Sequence, residues 1–329
     1  MIGIARDGKG SRLALLGRRV GAAGAFDPAP DWKQANPTRI RRALDRALAR
    51  PAGGWFVIDA CRAIGKAPAR YTIGGQKLVV WRSSDGLHAA PDACPHMQAR
   101  LSDGKVVDGL LVCPWHGLAL GPRGHGGWRP FQVHDDGVLA WVRLDVGEEP
   151  TDRPILAPRP ERYLDAVVLL EARCEPRDVI ANRLDPWHGV HFHPHTFARL
   201  KVLDGGDPDR LLVRVAFRVA GPFCVEVDCT FHSPEPRCIV MTIVDGEGTG
   251  SVVETHATPV AEGRTAVIEA TLATSDRPGF KAALGLASAI RPAIKRLARR
   301  LWVEDGAYAE RQYELRLANE GERTHIRSA

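Results

Sequence analysis

Two short stretches, Cys94-Pro-His-Met-Gln-Ala-Arg-Leu-Ser-Asp-Gly104 and Val112-Cys-Pro-Trp-His-Gly117, decide how this sequence is interpreted. Each stretch carries one cysteine followed closely by one histidine, so together they offer two thiolates and two imidazoles. Thiolates and imidazoles are strong ligands for transition metals. The glycines allow sharp turns, and the loop amides are free to donate to metal-bound sulfur. The sequence therefore predicts a metal centre held between two similar loops.

The identity of the metal follows from the way in which the ligands are distributed. Two cysteines and two histidines form the ligand set of a Rieske [2Fe-2S] cluster, with Cys94 and Cys113 on one iron and His96 and His116 on the other. Zinc fingers also use two of each, but they place both cysteines in one box and both histidines in the other. Because each box here is mixed, the cluster is favoured over zinc. Neutral imidazoles raise its reduction potential, so we expect it to accept electrons from a ferredoxin.

Composition narrows the class of protein. The 329 residues are 44% hydrophobic and 26% charged, which is typical of a soluble globular chain with room for two domains. No apolar run approaches the length of a membrane span, and we expect no transmembrane segment. Seven cysteines leave an odd number, which predicts a reducing compartment, the cytoplasm. The net charge of +6 is dispersed and lacks interleaved stacking aromatics, so we expect no nucleic-acid partner.

The chain divides into three segments by composition. We expect residues 1–36 to form a loosely ordered basic arm. Residues 37–148 are predicted to be a cluster domain with a leading helix, because short β runs separated by glycine turns fill most of this range. The four prolines in 147–160 disfavour helix and central strand, so this range is interpreted as an extended linker. The remaining residues, 149–329, are predicted to form a catalytic domain.

Strands dominate the first part of this second domain. A strand is expected over 165–173 and a helix from about Arg177 to His188. Val213, Val215 and Phe217 then alternate with arginines, which predicts a strand with one buried face. Further strand-like runs lie at 223–231, 237–244, 250–260 and 264–274, and helical periodicity returns after Pro278. An antiparallel sheet wrapped around long helices encloses a pocket, so the predicted class is α+β.

The predicted helix leads into a dense histidine cluster. The segment Asn182-Arg-Leu-Asp185-Pro-Trp-His188-Gly-Val-His191-Phe-His193-Pro-His195 places four histidines within eight positions. Two imidazoles and one carboxylate form the facial triad through which non-haem Fe(II) binds dioxygen and substrate together. The sequence therefore predicts a second metal site. His191 and His195 are interpreted as groups that line a pocket or orient a ligand, because Pro194 ends any helix there.

From about Trp55 to its C-terminal helices the chain resembles the α subunits of Rieske non-haem iron oxygenases of the aromatic-ring-hydroxylating type. The catalytic helix of that family reads Asn-x-x-Asp-x-x-His-x-x-x-x-His, and Asn182, Asp185, His188 and His193 match it without a gap. The resemblance implies that the two histidines are iron ligands. It also implies that Asp185 is a bridging carboxylate, which accepts a hydrogen bond from a cluster histidine of a neighbouring subunit and from an iron ligand of its own.

The third iron ligand implied by the resemblance is an aspartate near the C-terminus. Val303-Glu-Asp305-Gly-Ala-Tyr-Ala-Glu-Arg-Gln312 resembles the terminal Glu-Asp-x-x-x-x-x-x-Gln segment of the family. Asp305 is therefore the predicted ligand, and Glu304 remains the alternative. Upstream of it, Ile290, Ile294, Leu297 and Leu301 share one face of a predicted helix, which either covers a core or serves as a docking surface.

The resemblance also implies a function. It implies a helix-grip (START-like) catalytic domain behind the all-β Rieske domain, and a homotrimer that places one cluster near the neighbour's iron. The expected activity is O2-dependent hydroxylation of a hydrophobic or aromatic substrate, with electrons passing from NAD(P)H through a ferredoxin reductase and ferredoxin, or through a fused reductase. Oxidative demethylation, cis-dihydroxylation and desaturation remain open. A Rieske electron-transfer protein with a non-catalytic ligand-binding domain is the alternative from another class.

Overall fold

The computed structural model describes residues 3–6, 12–15, 32–203, 207–220 and 223–328. Most of the expected N-terminal arm lies outside these residues. Within it, Gly3–Arg6 (β1) and Arg12–Leu15 (β2) pair as antiparallel strands, which the sequence did not predict. In the described part of the chain, no helix is both long and apolar enough to cross a membrane.

The first helix, Pro37–Leu48 (α1), follows a short 3-10 turn at Trp32–Ala35. It begins at Pro37 because the Asn36 side chain accepts hydrogen bonds from two amides of the first turn and proline fits the first helical position. Its buried residues Leu44 and Ala47 pack in the core of the C-terminal domain. The helix that the sequence analysis grouped with the Rieske domain therefore packs on the catalytic side.

The cluster domain is built from three small antiparallel sheets, with strand orders β10-β11-β3, β4-β5-β6 and β7-β8-β9. Its strands are Trp55–Ala60 (β3), Ala69–Ile73 (β4), Gln76–Ser83 (β5), Gly86–Pro91 (β6), Lys105–Val107 (β7), Leu110–Val112 (β8), Ala119–Leu120 (β9), Gln132–Asp135 (β10) and Leu139–Arg143 (β11). Gly74 and Gly75 join β4 to β5 with φ of 58° and 80°, as a tight hairpin turn requires. The predicted all-β domain is confirmed.

The C-terminal domain holds one large sheet and the remaining helices. Its elements are Leu164–Ala172 (β12), Pro176–Arg183 (α2), His188–Phe192 (α3), Phe197–Leu203 (β13), Leu211–Ala220 (β14), Phe223–Glu235 (β15), Cys238–Gly246 (β16), Val252–Ala261 (β17), Arg264–Ala273 (β18), Phe280–Gly285 (α4) and Ala287–Ser328 (α5). The antiparallel order is β13-β14-β15-β16-β17-β18-β12, and β2 adds a short parallel pairing to β15. Buried residues of α2, α5 and the sheet form one core. The α+β class is confirmed.

One helix differs from its prediction. The sequence predicts one helix from about Arg177 to His188, whereas α2 ends at Arg183 and α3 begins at His188. The break falls at Pro186, which lacks an amide hydrogen and disfavours the helical conformation in the residue before it. Asp185 consequently lies in a turn, where its amide donates to the Asn182 carbonyl at 3.1 Å.

The two domains share a hydrophobic core. Trp55, Val57 and Trp141 from the cluster domain pack in one buried cluster with Val240 and Ile268 from the large sheet. Residues 147–160, interpreted from sequence as a linker, run between them without helix or strand. The loop joining β4 to β5 also donates backbone hydrogen bonds to β17. The cluster domain is therefore fixed on the sheet by packing as well as by its covalent connection.

Arg159, in the linker, makes the most buried ion pairs across this boundary. Its Nε lies 2.6 Å from Glu254 Oε1 and its Nη1 lies 3.0 Å from Asp136 Oδ1. Both carboxylates are at most 4% exposed. Burial raises the pKa of Glu254, but hydrogen bonds from Arg159 and His256 outweigh it and lower that pKa to about 2. The pair is thus ionised and tightly held.

Replacing Arg159 with methionine is expected to destabilise the fold by about 3–5 kcal/mol, because two buried carboxylates lose their cation. Urea denaturation of the parent protein and of the Arg159→Met variant measures this loss of stability. The control Arg173→Met removes an 80% exposed cation 3.7 Å from Glu310 and should cost less than about 1 kcal/mol. Because the folded pKa of Glu254 is depressed, its contribution is present above about pH 4.5 and lost as the pH falls towards 2. Equal stability losses in the two variants would contradict the assignment.

Candidate metal centres and active site

The two cysteine–histidine loops repeat one backbone arrangement. The amide of Gln98 donates to the carbonyl of Cys94 at 2.9 Å, and the amide of Gly117 donates to the carbonyl of Cys113 at 3.1 Å. Both donors have left-handed backbones, with φ of 61° at Gln98 and 70° at Gly117. This conformation favours glycine and costs a residue with a side chain some energy, so each loop is wound to present its ligands.

These loops bring the four predicted cluster ligands together in two layers. The Cys94 and Cys113 side chains are buried, at 1% and 2% exposure, and their thiols are hydrogen-bonded to each other. The rings of His96 and His116 lie at the surface with centroids 4.9 Å apart. The sequence prediction places the two thiolates on one iron and the two imidazoles on the other, and this pairing fits that ligand set.

Backbone amides surround the buried sulfurs. Burial opposes ionisation of Cys113, but hydrogen bonds from the amides of Trp115 and His116 and from the Cys94 thiol lower its pKa. The amides of His96 and Met97 also donate to Cys94, where burial and the neighbouring Cys113 nevertheless raise the pKa of the thiol. Such donors stabilise negative charge on sulfur, which suits a thiolate ligand.

The second predicted site gathers residues from distant parts of the chain. His188 begins α3, His193 follows it directly, and Asp305 lies on α5. The Nε2 atoms of both histidines lie 2.9 Å from the same oxygen, Asp305 Oδ1. The ligand atoms of the three residues all lie within 4.8 Å of one another. Two imidazole nitrogens and a carboxylate that converge in this way fit a facial triad.

The outer nitrogens of the two histidines are also bound, so that each Nε2 is left for a metal. His188 Nδ1 contacts the peptide oxygen of Asp185, and His193 Nδ1 lies 2.5 Å from Glu304 Oε2. Partners of this kind fix the tautomer and orientation of metal-binding imidazoles. Glu304, the alternative third ligand, therefore contacts the far side of His193, whereas Asp305 faces the Nε2 atoms of both histidines.

Asn182 supports the same carboxylate. Its Nδ2 donates to Asp305 Oδ1 at 3.1 Å, and the residue is fully buried. Burial raises the pKa of Asp305, but hydrogen bonds from His188 and His193 lower it well below the usual range. Asp305 is thus held as a carboxylate, which is the form that binds a metal.

The contacts of Asp185 differ in part from those that the family resemblance implies. Its carboxylate Oδ2 accepts a hydrogen bond from the Tyr308 hydroxyl at 3.2 Å, and only its peptide oxygen contacts His188. The other carboxylate oxygen is buried and has no hydrogen-bond partner among the described residues. Burial raises the pKa of Asp185. One acceptor therefore remains open for a donor that the described part of the chain does not supply.

Tyr308 was not found by sequence reasoning. It stacks on His188 with ring centroids 5.0 Å apart and an interplanar angle of 28°, while its hydroxyl reaches Asp185. The available signal was its position three residues after Asp305, which places both residues on one face of α5. Tyr308 thus holds the imidazole of a predicted iron ligand and the neighbouring carboxylate in one packed unit.

The other two histidines of the cluster take different positions. His191 is exposed and lies edge-on to Trp187 at 5.7 Å. His195 Nε2 lies 3.7 Å from Glu304 Oε2, on the far side of His193. His195 is therefore in contact with the group that orients a predicted ligand, and His191 faces outward.

A third group of potential ligands lies at the domain boundary. Glu235, Cys238 and His256 are buried, with ligand atoms within 4.8 Å of one another. His256 Nε2 lies 3.4 Å from Glu254, which is paired with Arg159. Arg159 balances Glu254, and Arg237 Nε lies 3.9 Å from Glu235 Oε2, so we assign the group to the ion-pair network between the domains.

A cavity of about 230 Å³ opens beside the metal triad. Its wall is largely apolar and includes Phe217 and Phe231 of the sheet. Ile294, Leu297 and Leu301 line it from α5, so this part of the predicted helical face bounds the cavity. The side chain of Phe223, the first residue of β15, lies outside the described side chains. The cavity therefore offers an apolar space of small-molecule size beside the three residues.

Glu304→Gln is expected to weaken Fe(II) binding at the triad about 10- to 100-fold, because His193 loses a charged partner that holds its ring. Anaerobic titration with Fe(II), with the cluster absorbance as an internal standard, measures this. Glu314→Gln, an exposed change on the same helix, should leave the affinity unchanged. If Glu304→Gln binds iron as the parent protein does, the contact with His193 has no role in iron binding.

Comparison with known families matches both halves of the chain. A profile described as "Rieske [2Fe-2S] domain" matches residues 54–140. A second, described as "Domain of unknown function (DUF5914)", matches residues 145–320, more than half of the chain. The first range contains the cysteine–histidine loops and the second contains the triad.

Curated relatives match about half of the chain or less. The oxygenase component of chloroacetanilide N-alkylformylase from Rhizorhabdus wittichii is 29% identical over 44% of this chain and 47% of its own length. The vanillate O-demethylase oxygenase subunit of a Pseudomonas species is 40% identical over 46% of this chain and 48% of its own. Both matched segments therefore span about half of the length of these relatives.

Solved structures show the fold over most of the chain. Dicamba monooxygenase bound to dicamba aligns with a TM-score of 0.56 at 21% identity, over 82% of this chain and 90% of that one. The terminal oxygenase of carbazole 1,9a-dioxygenase from Nocardioides aromaticivorans aligns with a TM-score of 0.60 at 12% identity, over 89% and 93%. The two-domain architecture is thus shared with these oxygenases.

Proposed function

Since the chain belongs to the Rieske non-haem iron oxygenases as an α subunit with a DUF5914 domain, we propose that it is a terminal oxygenase component that hydroxylates a hydrophobic or aromatic substrate with O2. The observation that carries this proposal is the convergence of His188, His193 and Asp305 beside an apolar cavity. The Rieske loops in the same chain supply a route for electrons.

In this proposal Cys94, His96, Cys113 and His116 hold the cluster. The buried cysteines and exposed histidines support an orientation in which electrons leave or enter through the histidine edge. Trp115 and Met97, 62% and 57% exposed, add an apolar rim next to that edge. Exposed apolar groups of this kind suit contact with a protein partner.

His188, His193 and Asp305 are proposed to hold the mononuclear iron. When bound, iron in such a triad supplies open positions at which dioxygen and substrate meet, and the cluster supplies single electrons. Asn182 keeps the Asp305 carboxylate oriented, and Glu304 holds His193. The apolar wall excludes water from the space in which the substrate binds.

Asp185 is proposed to connect the cluster of one protomer with the iron of the next in a homotrimer. The support is its open, buried carboxylate oxygen next to His188, together with the surface position of His96 and His116. A donor imidazole from a neighbouring chain fits the open oxygen. A closed ring is what a head-to-tail interface forms when its rotation closes.

The proposed electron donors are a ferredoxin and its reductase, or a fused reductase, supplied by NAD(P)H. One solved structure pairs the oxygenase of carbazole 1,9a-dioxygenase with a ferredoxin, and that oxygenase aligns with a TM-score of 0.57 at 13% identity. None of the seven cysteines forms a disulfide, which supports a reducing compartment and therefore the cytoplasm.

Demethylation is the second candidate reaction, because vanillate O-demethylase and dicamba O-demethylase are among the similar proteins. Hydroxylation of a methyl carbon attached to oxygen or nitrogen leads to loss of that methyl group, so both reactions use one site. A Rieske electron carrier with a non-catalytic domain has no need of the convergent triad, and this geometry argues against it.

Iron quantification and EPR on anaerobically purified protein test the proposal. We expect about three iron atoms per chain, two in the cluster and one at the triad. Substrate-dependent O2 uptake, screened with vanillate, dicamba and carbazole as probes, follows. A chain that holds two irons and takes up no third when Fe(II) is added would be an electron carrier and not an oxygenase.

A further inference from the structure

Arg183 brings a positive charge to the wall of the apolar cavity. It is the last residue of α2, next to Asn182, and its side chain is 16% exposed. Its guanidinium carbon lies 5.7 Å from the ring centroids of both Phe231 and Trp302. The two aromatic rings thus hold the guanidinium in place at the cavity wall.

The ion pair of Arg183 is loose. Its Nη2 lies 3.9 Å from Glu269 Oε2, which already accepts a hydrogen bond from Trp302 Nε1 at 2.7 Å. By contrast, Arg214 Nε lies 2.8 Å from Asp228. The distance of 3.9 Å is too long for a hydrogen bond.

The hydrogen-bond donors of the Arg183 side chain are not all satisfied. Its Nε is buried and has no hydrogen-bond partner among the described residues. A guanidinium carries five N–H donors, and leaving a buried donor unsatisfied costs free energy. Arg183 also lines the cavity, so an acceptor bound in that space lies beside a guanidinium whose donors are incompletely paired.

The rest of the cavity wall makes this acceptor site distinct. Apart from the metal triad and Asn182, the polar lining side chains are Arg183, Glu269 and Thr271. The sheet and α5 contribute apolar groups that include Leu200, Val213 and Met241. A ligand that fills the cavity is consequently apolar over most of its surface and meets a strong donor at one place.

We propose that the substrate is an apolar molecule that carries one oxygen acceptor, a carbonyl or carboxylate, which hydrogen-bonds to Arg183. The inference rests on the proposed function, because the anchored oxygen would determine which carbon faces the triad. Arg183 is thus a specificity-determining residue, and Glu269 balances its charge when the cavity is empty.

Three naphthalene probes of similar shape test the acceptor: naphthalene, the neutral ketone 2-acetonaphthone and the anion 2-naphthoate. Isothermal titration calorimetry of the anaerobic holoprotein gives their dissociation constants. Because a hydrogen bond from a charged donor replaces an unsatisfied one, we expect at least one acceptor probe to bind about 10- to 100-fold more tightly than naphthalene. The comparison of ketone with carboxylate identifies the form of the acceptor.

The test variant is the pair Arg183→Met and Glu269→Gln, which removes both charges and avoids a buried unpaired carboxylate. We expect its affinity for naphthalene to stay within about threefold of the parent. The acceptor preference, which is the dissociation constant of naphthalene divided by that of the acceptor probe, should fall to about one. Arg173→Met, a change at an exposed arginine, should keep the preference. The visible spectrum of the cluster and the iron content confirm that each variant is folded and loaded.

Two results would overturn the inference. One is equal binding of all three probes to the parent protein, and the other is an unchanged acceptor preference in the double variant. Either result leaves the iron content and the O2 uptake of the parent untouched, so the proposed oxygenase function would stand. If the parent protein instead held two irons and took up no third, the proposed oxygenase function would be contradicted, whatever the probe affinities were.

Discussion

Asp305→Ala is expected to abolish substrate-dependent O2 uptake and to remove the mononuclear iron, while the visible and EPR spectra of the cluster remain. Asp305 Oδ1 lies 2.9 Å from the Nε2 atoms of both His188 and His193, so its removal takes the only carboxylate from the triad. Two imidazoles alone hold Fe(II) weakly, because the carboxylate is the only anionic ligand of the triad and completes its three-ligand set. Iron content per chain, measured beside EPR, checks the result.

Glu314→Ala provides the matched control for this variant. It removes an exposed carboxylate from the same helix and should leave both iron signals and the O2 uptake unchanged. If Asp305→Ala retains the mononuclear iron, another residue must be the third ligand. The first candidate is then Glu304, whose carboxylate lies 2.5 Å from His193 Nδ1. Loss of the cluster spectrum together with the iron would show instead that the variant had misfolded.

Asp185→Asn is expected to keep both metals and to slow product formation about 10- to 100-fold, because a neutral amide oxygen accepts the proposed hydrogen bond from the neighbouring protomer more weakly than a carboxylate does. The peptide oxygen of Asp185 still contacts His188 in this variant, and its side chain can still accept from Tyr308. What changes is the charge on the open, buried oxygen. Rapid mixing of the reduced protein with O2 measures oxidation of the cluster directly.

Asp152→Asn, at an exposed position in the linker, is the control and should oxidise at the parent rate. If the cluster of the Asp185→Asn variant is oxidised at the parent rate, Asp185 has no role in electron transfer between the two metal sites. A variant that is slow because it has lost iron would show that Asp185 supports the metal site and does not carry the coupling. Measuring cluster oxidation and iron content on one sample separates these two results.

The cluster site could be predicted from the sequence because its ligands are local. Cys94 and His96 lie in one loop, and Cys113 and His116 lie in another, so residue type and spacing carry the information. The strand pattern was informative for a similar reason. Val213, with its alternating neighbours, identifies a buried sheet face from a period of two alone.

The iron site was only partly accessible in this way. His188 and His193 share a short segment, and its spacing made them candidates. The helix through that segment was predicted too long, because the break at Pro186 was given too little weight. Asp305 was selected by resemblance, since nothing local in the sequence connects it with residues more than 110 positions away.

Sequence by itself determined the candidate cluster ligands and the two candidate iron-site histidines, the α+β class and the alternation of the sheet, because each of these depends on residue type and short-range period. Tertiary structure decided the rest. The return of α5 across the sheet places Asp305, Glu304 and Tyr308 against the histidines, and the packing of α2 places Arg183 at the cavity. These contacts depend on how distant elements pack, and packing depends on the shape of the whole core and not on any local pattern.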